Sequence, residues 1–582
     1  MPASALERIP GGYEALAVAV AVRRRVGLEW VASPLQRLLL SGPHPEGLGA
    51  SPRDLRPADP EAGRRILAGA FVLGGATLTT GPRGDPWDRP SPVRPFAVAL
   101  HEFGWLKDLA VHGDPGAWEA LRLTLAWRRL FGRGNAFSWA PPVLERRVFN
   151  LACNLRALAG PASDAEADQV AGDLALQARI LLAVRDGPLR AAEQATAAGV
   201  AGAALGGRAG EQLIERAVGR LRMVLPDTVT PDGGHATRSP QAALELFFDL
   251  VTLDDALAQR GISAPDDMMR AIDQLAGTVR FFTLADGRLA AFQGGEALPG
   301  AYVAAARAQD ELRERPTPAA RNGYQRLETG SLQVMADAGA PAAGPWSIAA
   351  CAQPLAIEVL AGGRRLIVGS GWTPDVQGPQ ALRLVDAAST AAVSDASCGA
   401  PLAGFAAEAL GPRLRGAYAI LDVRRHEAPG AVWLELAHDG WTRRFGLRHE
   451  RRLYLDAETD ELRGEDRLTP LGGRSLADGR RFVPFVVRFH LHPHVSALIA
   501  RDKRSVLLKA EGEETGWWLR NDALDVGLEA SVHHQDGLTR HGQQIVLRGQ
   551  ARLDAGAKVR WKLSAARERA GEGQVDGAPP PE

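Results

Sequence analysis

The stretch Arg313-Glu314-Arg315-Pro316-Thr317-Pro318-Ala319-Ala320-Arg321-Asn322-Gly323 divides the chain into halves written in two different periods. Its prolines each remove a backbone donor and push the preceding residue out of helical geometry, so no helix runs through it. Upstream, from about residue 13 to 312, the periodicity is helical. Leu213, Ile214, Ala217, Val218, Leu221 and Val224 form one apolar stripe, with Glu215, Arg216, Arg220 and Arg222 off it. Similar segments cover 94–112, 115–131, 139–159, 164–184, 241–259 and 264–283, separated by short loops such as Gly113-Asp114-Pro115 and lacking a fixed repeat length. Downstream the period is two: Val559, Trp561 and Leu563 alternate with Lys558, Arg560 and Lys562. Apolar runs at 332–336, 355–360, 365–369, 432–436, 485–489 and 505–509 end at turns such as Gly362-Gly363 and Asp439-Gly440. An α+β chain is expected: an all-helical half over 1–315, a linker at 316–322, a large antiparallel β-sandwich over 323–570, and a disordered tail from 571 to 582.

The 582 residues hold 68 Lys+Arg against 68 Asp+Glu, which excludes a whole-molecule field of the kind a dedicated nucleic-acid binder needs. Three cysteines, Cys153, Cys351 and Cys398, exclude both a disulfide scaffold and a four-thiolate zinc site. The apolar run Ala15–Val22 follows Glu14 and precedes Arg23-Arg24-Arg25, the reverse of a secretory signal, and falls well short of the ~20 residues of a membrane span. By itself this reads as cytoplasmic. There is no Walker A loop, dinucleotide fingerprint or nucleophile elbow in context, and His101-Glu102 lacks the second histidine of a metalloprotease helix.

Asp232-Gly233-Gly234-His235-Ala236-Thr237-Arg238-Ser239-Pro240, the stretch Leu355 to Gly371, His438-Asp439-Gly440-Trp441 and Arg488-Phe489-His490-Leu491-His492-Pro493 resemble, in order and spacing, segments of the heparinase II/III family of polysaccharide lyases. The resemblance covers nearly the whole chain. It implies an incomplete α/α toroid joined to a β-sandwich, an acidic polysaccharide in the cleft between them, β-elimination at a uronic acid, and a periplasmic or envelope location. Such chemistry needs a group that neutralises the sugar carboxylate, a base for the C5 proton and an acid for the leaving oxygen.

This chain departs from the family's equipment position by position. The tyrosine that follows Ser-Pro is replaced by Ala242, and no asparagine stands near Gly187-Pro188-Leu189. The family's zinc, the divalent metal that the resemblance implies, would have its ligand positions at Cys351, Gly369 and about Val393. The expectation is a heparinase II/III-like protein that eliminates across, or binds, a uronic-acid polysaccharide with its usual catalytic residues replaced. The alternative is a non-catalytic polysaccharide-binding or envelope-assembly protein on the same scaffold.

Within that frame His235 and Arg238 are the candidate catalytic pair, with Asp232 beside them as a candidate substrate-binding residue, in a Gly-rich loop ahead of a helix capped by Ser239 and begun by Pro240. One reading puts the imidazole and guanidinium at the toroid mouth; the other makes the loop a turn whose side chains satisfy backbone groups. His438, Trp441, Arg443, Arg448 and His449 are the candidate substrate-binding cluster, an exposed tryptophan stacking on a sugar while guanidinium forks hold acid groups. His490 and His492 alternate on a strand and are the candidate metal ligands, against the plainer reading of a strand end broken by Pro493.

Overall fold

A computed structural model describes residues 12–32, 42–184, 186–311, 317–374, 380–471 and 481–566. The expected tail and the first residue of the expected linker lie outside the described residues. The fold is an N-terminal helical toroid followed by a large antiparallel β-sandwich, as the change of period implies.

The predicted helical segments appear as Asp114–Phe131, Pro141–Ala159, Asp164–Ala183, Gly207–Thr228, Pro240–Gln259 and Asp266–Phe282. Two features differ. Residues 94–112 form two helices, Arg94–Glu102 and Leu106–Ala110, because Phe103 takes a left-handed conformation (φ 65°) that stops the first and turns Phe103 and Trp105 into the core. The helical half also contains a hairpin, Ala70–Leu73 with Ala76–Thr79, turning at Gly74-Gly75.

Helix Ala191–Ala204 lies at the centre of the toroid, buried along all 14 residues and packed on the helices at 141–159, 164–183, 207–228 and 240–259. Its run of alanine and glycine lets four helices approach, and it has no polar face because no side of it meets water. Helix Gly12–Ala32, which contains the apolar run Ala15–Val22, packs through Leu16, Ala17 and Val20 on the short helix Gly404–Leu410 of the sandwich half. Among the described residues no helix is long and apolar enough to cross a membrane.

One sheet has eight strands, in the order Ile420–Ala428, Ala431–His438, Leu447–Asp456, Glu461–Pro470, Ala557–Ala565, Trp517–Asn521, Ser505–Ala510 and Val495–Ile499. The other runs from Asp525–Gln535 through Leu538–Arg552, Phe482–Leu491, Arg364–Val368, Ile357–Ala361, Leu332–Asp337 and Tyr324–Glu328 to Ala320–Arg321, with Ala391–Val393 also on Phe482–Leu491. Strand Leu447–Asp456 alternates strictly between buried and half-buried positions, so one face of its sheet closes a core of Leu434, Leu453, Phe489, Val506 and Leu563. That core joins the sheets. A larger one fills the toroid and continues across the seam to Tyr324, Met335, Ala356, Leu360 and Ala388 of the sandwich.

Candidate functional site

The Asp232–Arg238 loop grips the first turn of the sandwich. Asn322 and Gly323, both at positive φ, join Ala320–Arg321 to Tyr324–Glu328 as a two-residue hairpin turn. Asp232 accepts a hydrogen bond from the Asn322 backbone N–H, and Asn322 Nδ2 donates to the His235 carbonyl at 3.2 Å. A Cβ on Gly234 would lie 2.0 Å from Asn322 Cγ, so only glycine lets the turn seat this closely.

Arg238 completes the grip with all five of its N–H donors. They reach the carbonyls of Asn322, Gly323, Gly339 and Ala340 and the carboxylate of Asp337, the last at 2.6 Å. Its guanidinium lies over the Tyr324 ring, 4.5 Å from the centroid, and Tyr324 Oη donates to the Arg238 carbonyl. Of the two readings of this loop the geometry matches the turn: the side chain is 9% exposed and every N–H donor is bonded to the protein.

His235 is sealed as well, at 1% exposure. Its Nδ1 accepts from the Thr237 backbone N–H and contacts Thr237 Oγ1 at 2.7 Å, which leaves the ring proton on Nε2. That nitrogen looks toward Glu193 Oε1 at 3.9 Å, beyond hydrogen-bond reach, and neither it nor Glu193 Oε2 has a hydrogen-bond partner among the described residues. Trp346 of the sandwich half closes the other side, with its ring edge-on at 5.9 Å. Burial, with Arg190 adding, pushes the imidazole down to about 3.

Sequence reasoning missed what surrounds it. Glu193 sits in the first turn of the buried helix Ala191–Ala204, and burial lifts it to about 7 against the pull of Arg190. Arg190 forks Glu145 through two bonds of 2.7 Å. The network continues through Arg146 to Asp249, and through Arg56 to Asp249, Glu245 and Asp54. Three guanidiniums are held by four carboxylates. Arg56, Arg146 and Arg190 are thus committed to protein carboxylates, the arrangement in which a guanidinium is least available to an incoming uronate.

The positions of the family's equipment are equally plain. Ala242 occupies the third position of helix Pro240–Gln259, where its backbone N–H donates to the Ser239 cap, and carries no hydroxyl. Cys351 is buried, with its thiol pushed up to about 11 by burial. Gly369 brings no side chain, and Val393 is buried on a strand paired with Phe485. These three do not fit a zinc ion, which needs deprotonated N, S or O ligands. His490 spends Nδ1 on Ser531 Oγ and Nε2 on the Asp386 carbonyl, while His492 faces Gln535 Oε1 at 3.3 Å. Among the described residues no three His, Cys, Asp or Glu side chains are arranged to hold a metal.

The expected sugar-stacking cluster is a buried chain. Trp441 is 1% exposed, His438 and His449 are 0% exposed, and so the expectation of an open aromatic face is corrected. The Gly440 N–H donates to His438 Nδ1 at 3.0 Å, which assigns that proton to Nε2, 3.0 Å from His449 Nδ1. His449 Nε2 in turn reaches Asp466 at 2.8 Å, and Arg451 and Trp561 Nε1 complete that carboxylate. Arg451 also donates to the Leu355 and Ser389 carbonyls of the facing layer. This is a satisfied polar bolt between the layers, formed because inward positions of paired strands stack. Arg443 is exposed on the short helix Thr442–Phe445, and Arg448 pairs with Glu450 on the outer face.

Comparison with known proteins agrees with this anatomy. Residues 312–562 match the family described as heparinase II/III-like, C-terminal. The crystal structure of heparinase III superposes with a TM-score of 0.69 at 14% identity, over 96% of this chain and 92% of that one. The heparan sulfate lyase HepC of Pedobacter heparinus does so at 0.56 and 12%, covering 95% and 88%. The FtsZ-localized protein C of Caulobacter vibrioides is 51% identical over 562 residues, covering 96% of this chain and 97% of that protein. The chain thus belongs to the heparinase II/III-like family, together with that FtsZ-localized protein.

Proposed function

We propose that this chain is a non-catalytic member of the lyase family, a binding and assembly protein that localises with FtsZ as its relative's name describes. The observation that carries the reading is the locked junction: Arg238 has no spare donor, and Arg56, Arg146 and Arg190 are held by protein carboxylates. The sealed, weakly basic His235 and the alanine at position 242 support it, since neither can supply the base or acid of an elimination.

The test has two arms. Purified protein is incubated with heparin, heparan sulfate, alginate, hyaluronan and polygalacturonate, and the ultraviolet absorbance of new unsaturated uronate ends is followed; a flat trace on all five is expected. A fluorescent fusion is imaged beside labelled FtsZ, and coincident signal is expected. Absorbance growth that His235→Ala abolishes would restore the lyase reading, and signal unrelated to FtsZ would remove the assembly reading.

A further inference from the structure

The outer face of the eight-stranded sheet carries a row that the junction does not use. Trp433 pairs with Tyr454, Tyr454 with Arg463, Arg463 with Lys562 and Lys562 with Arg520. Directly paired residues share a face and neighbouring strands lie about 4.8 Å apart, so these five side chains line up across roughly 19 Å. Their sequence neighbours Leu434, Leu453, Leu462, Leu563 and Leu519 are buried, which turns the row outward.

The row contains two rings and three cations and no carboxylate. The next row alternates in sign, Glu435, Arg452, Glu465 and Arg560, and is closed by its own ion pairs. Glu461 alone serves both Arg463 and Lys562. Arg520 stacks 5.5 Å over Trp518 and forms no ion pair with a described residue. A chain with no formal net charge thus has a local excess of positive charge here.

A groove of about 760 Å³ follows the row from Trp433 to Arg520, and a smaller one of about 190 Å³ adjoins it at Arg452. Arg463 lies 5.6 Å over the Tyr454 ring, and Trp433, 38% exposed, sits edge-on to Tyr454 at 5.5 Å. Guanidiniums stacked in this way are pre-organised to fork a carboxylate. They also cover ring faces on which a sugar would stack, while leaving apolar ring edges along the wall. That combination suits a peptide better than a polysaccharide.

We propose that this row docks an extended acidic segment of a partner protein. Its carboxylates lie on Arg463, Lys562 and Arg520, and an apolar side chain packs against Trp433 and Tyr454. Binding here is independent of whether the junction performs chemistry.

The test uses the full chain and a fluorescein-labelled synthetic peptide alternating Glu or Asp with Leu and Phe, followed by anisotropy. Saturable binding that weakens about tenfold between low salt and ~0.3 M salt is expected. Arg463→Glu combined with Arg520→Glu lowers affinity more than about tenfold, and Trp433→Ala does so by about tenfold. Trp118→Ala, which removes a ring 59% exposed on the helical half, leaves it unchanged. Unaltered circular dichroism and melting of each variant separate lost binding from lost fold. No binding of the acidic peptide, binding insensitive to the row variants, or equal binding of a Lys-for-Glu peptide overturns the proposal. So does polygalacturonate binding through the row without peptide binding, which would make it a sugar face.

Discussion

Replacing Arg238 with methionine keeps an unbranched apolar stem and removes the guanidinium with all five donors. Asp337 then loses its guanidinium partner but keeps the Gln293 amide and the Gly339 N–H. The carbonyls of Asn322, Gly339 and Ala340 lose theirs, while that of Gly323 keeps the Ala338 N–H. Breaking a buried ion pair from one side costs about 3–5 kcal/mol, and each orphaned buried acceptor adds about 1–3 until water reaches it. Gly323 and Ala340 are exposed and Gly339 half-buried, so water replaces the guanidinium at these carbonyls and the ion-pair term of about 3–5 kcal/mol is what remains. The cost falls on the seam between toroid and sandwich rather than on either core. Hydrogen exchange read peptide by peptide is therefore the right assay. Amides of the Asp232–Arg238 loop and of strand Tyr324–Glu328 should exchange roughly a hundredfold faster, while helix Ala191–Ala204 keeps its protection. Arg238→Lys, with three donors and no fork, should recover only part of the loss. In a cycle with Asp337→Asn the pair should couple by about 2 kcal/mol or more. If Arg238→Met leaves exchange at the seam unchanged, the grip is not what holds the halves together and the argument for a committed guanidinium falls.

Two further outcomes follow from the cores. His101 accepts a hydrogen bond from Trp127 Nε1 at 2.8 Å, and burial with Arg147 nearby pushes it down to about 4. The unfolded chain takes up this proton near 6.5 and the folded one near 4, so stability is lost as pH falls through that window. The loss amounts to as much as about 3 kcal/mol from this residue. His490, also pushed down to about 4 by burial, adds a loss of the same sign. Denaturant titrations across pH 4–7 should show a shallower slope in His101→Gln, and an unchanged slope would discount the residue. Gly464→Ala places a methyl where a Cβ meets the Trp561 ring at 2.2 Å, and overpacking of this kind costs about 1–3 kcal/mol. A lower melting temperature with altered tryptophan fluorescence is expected, because Trp561 must shift off Asp466.

The fold was largely legible because period is a local signal. The stripe at Leu213–Val224 and the alternation at Lys558–Leu563 each report one wet and one dry face. Helix Ala191–Ala204 escaped that reading because all its faces are dry, and with it went Glu193. Ser239 as N-cap was readable, since capping is chemistry within one turn.

The helical-then-β order, the break at Asn322-Gly323 and the missing tyrosine at Ala242 are local features, legible in one dimension. What the motif residues do depends on contacts that folding alone creates. His235 and Arg238 read equally well as an open pair or as turn residues, because burial depends on partners about 85 to 100 residues away, at Asn322 and Asp337. Trp441 and His449 likewise looked like a surface cluster until strand register turned them inward. The Trp433–Arg520 row is invisible in one dimension for the same physical reason: a sheet places side by side residues that five separate strands contribute, and their shared face follows from pairing rather than from proximity along the chain.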